Sequence, residues 1–355
     1  MKVAVIGTGN VGIAVATDLS IKGHDVCLIK TSDYKSEIFD KLVSNGHSAC
    51  LKENGVYTPT IIREVTKDLG KASEAEVVFL SIQSTFLEKL IERMAQYVKE
   101  DQVYVICCSY MSSFYFARYC RNVPMIAETT GPYLEGRVEM SDPHDGLVFR
   151  VGCRLYKCPL SFFSPDGKGK AMEKLTELYD GYSNDYSVVE SALLNPNMVL
   201  HTVGSILSIP RIEITHGNFC MYREAYTHDN EATIEVMLAL DEEKKNVLEA
   251  LHQRPIDIME AGGFRNGLSS FYQYSESSDR AISPTSVHSR YITEDVSQGL
   301  VLLEDIAKHL DIKTPIATAM INIASAALQY DFRSHGRTRK HLGIEKYIDN
   351  LAHDE

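Results

Sequence analysis

The chain has 355 residues, more than one hydrophobic core ordinarily supports and enough for two domains. Apolar residues make up 44% and charged residues 24%, a globular balance that excludes a disordered or fibrous chain. Lys plus Arg number 36 against 48 for Asp plus Glu, a formal charge of −12, so a grip on nucleic-acid phosphates is excluded too. The eight cysteines include no C-x-x-C pair. That spacing argues against a zinc site and for reduced thiols in a cytoplasmic protein, with no metal expected. No leader pattern precedes the first apolar run. The longest apolar stretch, residues 316–328, is broken by Thr318, Asn322 and Ser325. No membrane partner is expected.

Residues 3–6 read as a buried strand and 11–21 as a helix stopped by Gly23. Strands are predicted at 26–29, 77–82 and 103–107, and helices at 86–94 and 114–119. This alternation predicts a parallel sheet with helices between its strands. Residues 125–128, 147–151 and 154–163 look like later strands, and 170–179 like a helix. After about residue 190 the strand pattern fades. Asn195-Pro196 is a helix start, with Asn as N-cap and Pro in the first helical position. Helices are predicted at 198–209, 231–252, 296–310 and 315–330. The expected fold is therefore α/β: a doubly wound sheet over residues 1–185, then an all-helical domain over 186–355.

Gly7-Thr8-Gly9-Asn10-Val11-Gly12 is a G-x-G-x-x-G run that follows a predicted strand and opens a predicted helix. Gly7 permits a tight turn, Gly9 lets the backbone approach a pyrophosphate, and Gly12 allows close helix–strand contact. The helix start supplies N–H groups for the phosphates. Gly7, Gly9, Asn10, Val11 and Gly12 are thus candidate dinucleotide-binding residues. An NAD site usually carries an acid at the end of the second strand, for the ribose 2′-hydroxyl. This chain has Lys30-Thr31-Ser32 there. Lys30 would attract a 2′-phosphate and Thr31 or Ser32 could bond it, which favours NADP over NAD. The other reading leaves Lys30 as a strand-end residue and NAD as the cofactor.

Hydride chemistry at a carbonyl or imine needs a proton donor. Of twelve histidines, His201 stands out, because it lies inside an apolar helix. A buried histidine satisfied by a local hydrogen bond is the competing reading. A second cluster is Arg290-Tyr291-Ile292-Thr293-Glu294-Asp295. Thr293 is expected to cap the following helix, with the two acids in its first turn. Alternatively, one acid orients an imidazole and the arginine forks a substrate carboxylate. Phe219, Tyr222 and Tyr226 are candidates for a pocket wall or for ordinary packing.

These residues resemble the opine dehydrogenase family, which includes octopine and nopaline dehydrogenases. The resemblance is carried by the GTGNVG run, Glu128-Thr129, the helix with Asn195, Pro196 and His201, and a C-terminal series. That series is Arg290-Tyr291, Glu294-Asp295-Val296, Gly299-Leu300, Thr314-Pro315, Asp331-Phe332-Arg333, Gly336-Arg337-Thr338 and Leu342-Gly343. One departure stands out. Family members carry a glycine-containing loop after the strand at 103–107, where this chain has Cys108-Ser109-Tyr110-Met111-Ser112-Ser113.

The resemblance implies a Rossmann domain followed by a helical domain of the 6-phosphogluconate dehydrogenase C-terminal type. It implies NAD(P)H-dependent reductive condensation of an amino acid with a 2-oxo acid such as pyruvate, through an imine. By the same resemblance His201 and Asp295 would be the catalytic acid/base pair and Arg290 the substrate-binding residue. A homodimer is expected. Two alternatives stand beside this reading: a 2-oxo acid or hydroxyacid reductase of the ketopantoate-reductase type, and a non-catalytic NADP(H) sensor.

Overall fold

The structure is a computed structural model and describes residues 1–266, 271–272, 275 and 283–353. The chain forms two compact units. Met1–Ile82 with Phe86–Asp185 make the first, and Gln83–Thr85 with Tyr186–Glu355 the second.

The first unit holds twelve strands in two sheets. Strands β1 (Lys2–Ile6), β2 (Asp25–Ile29), β5 (Glu64–Thr66), β6 (Val77–Leu80), β7 (Val103–Cys107), β8 (Met125–Thr129), β11 (Cys158–Phe162) and β12 (Tyr182–Asn184) form the larger sheet. Their order is β12-β11-β8-β7-β6-β1-β2-β5. All neighbours run parallel except β11 against β8. β1 lies between β2 and β6, so the winding reverses there, at the position where open α/β sheets bind ligands. Among the helices of this unit are α1 (Asn10–Ile21), α2 (Glu37–Ser44), α3 (Leu87–Met94), α4 (Ser113–Tyr119) and α5 (Lys168–Leu178).

The second sheet was not anticipated from the sequence. β3 (Ser48–Glu53), β4 (Val56–Ile61), β9 (Leu134–Glu139) and β10 (Leu147–Arg154) pair in the order β4-β3-β10-β9. Helix α1 packs against β1 and β2 and also against all four strands of this small sheet. That explains its composition. Every residue from Gly12 to Leu19 is buried, so α1 is covered on all sides, and its one buried acid, Asp18, pairs with Arg154 and Lys22.

The second unit is helical. Its elements are α6 (Val188–Leu193), α7 (Pro196–Leu207), α8 (Ile209–Thr215), α9 (Met221–Ala225), α10 (Glu231–Ala250) and α11 (Ile258–Asn266). Then come α12 (Arg290–Glu294), a π-helical turn (Asp295–Leu300), α13 (Val301–His309), α14 (Pro315–Leu328), α15 (Phe332–His335), α16 (Arg339–Leu342) and α17 (Glu345–His353). Asn195 caps α7 by accepting from the Asn197 N–H at 3.0 Å, and Pro196 opens the helix. α7 packs against α10, α12, α14 and the π turn, and Met198 to Ile206 are buried throughout. Among the described residues no single helix is long and apolar enough to cross a membrane.

Two sequence expectations are corrected here. The helix predicted at 198–209 ends at Leu207, and Ile209–Thr215 forms a separate one. Thr293 is not an N-cap. Ser289 holds the extended N-cap position of α12, and the Thr293 hydroxyl donates back to the Ser289 carbonyl at 3.1 Å. Glu294 and Asp295 therefore sit at the junction of α12 and the π turn, not in a first turn.

Candidate active site

In the first unit the candidate site begins where β1 turns into α1. Gly7 has φ +117, and a Cβ there would collide with the Ser81 carbonyl. A Cβ on Gly12 would collide with the Gly7 carbonyl. Gly9 differs: a Cβ there meets nothing within 4 Å. Gly9 is the extended N-cap of α1, makes no side-chain cap, and no acid stands in the first turn. The turn thus leaves an open cradle beside the first N–H groups of a helix, the arrangement a pyrophosphate requires. The Asn10 side chain also has a structural task. Its Oδ1 accepts from the Val138 N–H at 2.9 Å, which ties the fingerprint to β9. Val11 is half-buried on α1.

At the end of β2, Lys30 is buried and its ammonium donates to the carbonyls of Tyr34 and Lys35 at 3.0 and 3.1 Å. Its charge closes the loop that follows. Thr31 and Ser32 lie in that loop, and the Thr31 carbonyl accepts from Arg93 at 3.4 Å. Arg93, from the last turn of α3, was not singled out in the sequence, since nothing local links it to Thr31.

In the second unit His201 and Asp295 meet. His201 Nδ1 lies 2.8 Å from Asp295 Oδ2, and the two side chains are 3% and 1% exposed. The Tyr291 ring stacks on the imidazole with centroids 3.6 Å apart and planes within 7°. Tyr222 approaches edge-on at 6.3 Å. The Arg290 guanidinium lies 5.5 Å from the Tyr291 centroid, and its Nη1 is 3.6 Å from Glu294 Oε2. The structure thus brings His201 and Asp295 into contact and joins Arg290 to them through Tyr291. Phe219, Tyr222 and Tyr226 are buried, and Tyr226 donates to the Leu200 carbonyl.

Similarity to known proteins covers the chain end to end. Residues 185–328 match the family model for the NAD/NADP octopine/nopaline dehydrogenase alpha-helical domain. Residues 2–112 match the NAD-dependent glycerol-3-phosphate dehydrogenase N-terminus. An opine dehydrogenase from Arthrobacter sp. (strain 1C) is 25% identical over 96% of this chain and 94% of its own. The protein ocs of Agrobacterium tumefaciens (strain Ach5) is 24% identical over 97% and 96%. Residues 185–328 carry the octopine/nopaline dehydrogenase helical domain, and the chain resembles opine dehydrogenases along its whole length.

Solved structures share the fold. Octopine dehydrogenase in complex with NADH and agmatine superposes with a TM-score of 0.77 at 16% identity, over 100% of this chain and 98% of that one. Yersinopine dehydrogenase with NADP+ bound gives 0.70 at 13% identity, over 99% and 97%. A ketopantoate reductase from Ralstonia eutropha JMP134 gives 0.64 at 17% identity, over 93% and 100%. NAD or NADP is the cofactor class of the first unit.

The C-terminal series that carries the resemblance now has a physical explanation. A π turn widens the helix, so its carbonyls need outside partners. The Arg337 N–H donates to the Ser297 carbonyl at 2.8 Å. Gly336 lies so close that a Cβ would meet the carbonyls of Phe332 and Ser297. Within the turn, the Ser297 hydroxyl donates to the Thr293 carbonyl at 2.7 Å. Gly336-Arg337 therefore braces the turn that carries Asp295.

Glu294 is buried beside it and accepts from the Ser84 N–H and hydroxyl at 2.6 and 2.8 Å. Burial pushes its carboxyl above the usual carboxylate range, against the pull of Arg290. Arg337 also donates to the Ser84 carbonyl at 3.0 Å. Asp331 caps α15, and Arg333 forks Glu304 at 2.7 and 2.8 Å. Part of the signature thus serves the scaffold.

The departure at Cys108–Ser113 is also visible. Cys108, Tyr110 and Met111 have φ of 60, 45 and 64, the region that favours glycine. The buried Glu128 carboxylate, at the end of β8, holds this loop by accepting from the Ser109 hydroxyl and, at 2.7 Å, the Ser113 N–H.

Proposed function

We propose that this protein joins the amine of an amino acid to a 2-oxo acid and reduces the resulting imine with NAD(P)H. The single observation that carries the reading is the buried His201–Asp295 contact, in a chain related to opine dehydrogenases along its whole length.

The Gly7–Gly12 turn and the N–H groups of α1 would hold the dinucleotide, and the open space at Gly9 fits its pyrophosphate. When bound, the nicotinamide supplies the hydride. The protein supplies the rest. Asp295 takes the Nδ1 side of the imidazole, so proton transfer falls to Nε2. The amine adds to the oxo carbon to give a carbinolamine. His201 Nε2 donates a proton as hydroxide departs, which leaves water and the imine. The same atom takes the proton back in the reverse direction. Asp295 favours the protonated ring and fixes its orientation. Arg290 forks a substrate carboxylate.

Lys30 replaces the acid of an NAD site, which favours NADP. Its ammonium keeps a positive charge at the loop that Thr31 and Ser32 share with Arg93. The proposal includes a division near residue 185, a cytoplasmic location and a homodimer, the last checked by sedimentation.

The test is NADPH and NADH oxidation across a panel of amines with pyruvate and other 2-oxo acids. Turnover that requires both an amine and an oxo acid is the expected result. Turnover with an oxo acid alone would move the protein to the ketopantoate-reductase type. Tight cofactor binding with no turnover would leave a sensor. Enzymes of the reductase type usually use a lysine of the helical domain, and the buried lysine of this unit, Lys244, is not placed for that role. It is closed onto Asp241 and the Ile256 carbonyl, within α10 and its exit.

A further inference from the structure

We propose that Tyr291 is a positioning residue for the His201 imidazole, setting the plane of the ring while Asp295 sets its edge. This rests on the acid/base reading of His201 given above.

The two residues are four apart, at the start and end of one continuous helical path, so both reach the same neighbour on α7. A hydrogen bond at Nδ1 tolerates some rocking of the ring about Cβ–Cγ, and Nε2 moves with it. A ring stacked at 3.6 Å and within 7° of parallel removes that freedom. Tyr222 adds an edge contact at 6.3 Å. The arrangement also favours the charged ring, because an aromatic face attracts a cation. The same Tyr291 ring lies 5.5 Å from the Arg290 guanidinium. One side chain therefore relates the proposed proton donor to the proposed carboxylate fork.

Among the described residues, the elements around α7 carry several ionisable side chains, including Glu260 on α11. α12 and the π turn bring Arg290, Tyr291, Glu294 and Asp295, and α9 brings Tyr222. On α10, Lys244 pairs with Asp241, and Glu243 accepts from the Ile316 and Ala317 N–H groups. On α8, Arg211 pairs with Glu224. α14 has no ionisable side chain.

The experiment uses the full-length protein and two readouts. The His201 titration is followed by NMR, with the signal assigned by its loss in His201→Asn. Amine-dependent NADPH oxidation is measured beside it. Tyr291→Phe keeps the π face, and its titration midpoint and kcat should stay within about twofold of wild type. Tyr291→Leu should lower the midpoint by about half to one pH unit and kcat by about tenfold. Tyr291→Met fills similar space without a π face and replaces the leucine variant if that one unfolds.

An unmoved midpoint in the leucine or methionine variant overturns the inference. So does a phenylalanine variant as impaired as the leucine one, since that would assign the role to the hydroxyl. If the wild type shows no amine-dependent turnover, the proposed reaction fails, and the NMR titration still decides the role of Tyr291.

Discussion

The Gly7–Gly12 turn and the His201–Asp295 pair are built in opposite ways. The turn works through its backbone. Its glycines matter because side chains there would strike the Gly7 or Ser81 carbonyls or fill the open space at Gly9. All of it lies within six consecutive residues, after one strand and before one helix. The pair works through side chains, buried to a few per cent and 94 positions apart in the chain. It depends on α7, α12, a π turn and a brace at Gly336-Arg337. A binding loop for a common cofactor can be local. A proton-transfer pair that must be dry and oriented needs a tertiary frame.

The comparison breaks first at the pair. Asp295→Asn keeps the size of the side chain and removes its charge. It should lower kcat for amine-dependent oxidation about 10²- to 10⁴-fold while the NADPH dissociation constant stays put. Steady-state kinetics and a fluorescence titration of bound NADPH check both halves.

The turn offers the mirror image. Gly9 has φ −84, which alanine adopts readily, and its Cβ would point into open space. Gly9→Ala should therefore leave the thermal midpoint unchanged. It should still weaken NADPH binding about tenfold or more, since the methyl occupies the pyrophosphate cradle. Equal loss of stability and binding would mean that Gly9 serves the fold.

The scaffold beneath the pair is tested by pH. Burial alone would raise the Glu304 carboxyl. The Arg333 fork, with Thr318 and Lys308, overrides it and holds the group at about 2. Its folded value lies below its unfolded one, so the contribution is full above the unfolded value. It fades as pH falls from about 4.5 toward 2. Arg333→Met should cost about 3 kcal/mol in urea unfolding at pH 7. The deficit should shrink as pH falls through that window.

The smallest effect is expected at Lys30. Lys30→Ala removes two carbonyl contacts in the loop after β2 and should reduce the preference for NADPH over NADH about tenfold. Competitive titration of the two cofactors measures it. An unchanged preference would shift the weight to Arg93.

Much of this was legible in the sequence, for local reasons. The strand–glycine–helix start and the Asn195-Pro196 cap are decided by neighbouring residues, and both elements form. The small sheet was not legible. β4 is mostly exposed and contains Pro59, so no alternation marks it, and β3 finds its second partner only in β10. The π turn was misread because its stability comes from elsewhere. Ser289 opens α12, and Gly336 and Arg337 accommodate the widened turn. His201 stood out as a polar ring in an apolar helix, Arg290 and the two acids stood out as a cluster, and the family resemblance chose Asp295 between those acids. Tyr291 was read only as a letter of that signature. Its stacking depends on how α12 meets α7, which no local pattern encodes.

The most direct test of the central claim is His201→Ala, assayed at saturating NADPH with the best amine and oxo acid. The account predicts amine-dependent oxidation reduced about 10²- to 10⁴-fold, with NADPH affinity and thermal midpoint close to wild type. A variant that turns over at the wild-type rate would contradict it.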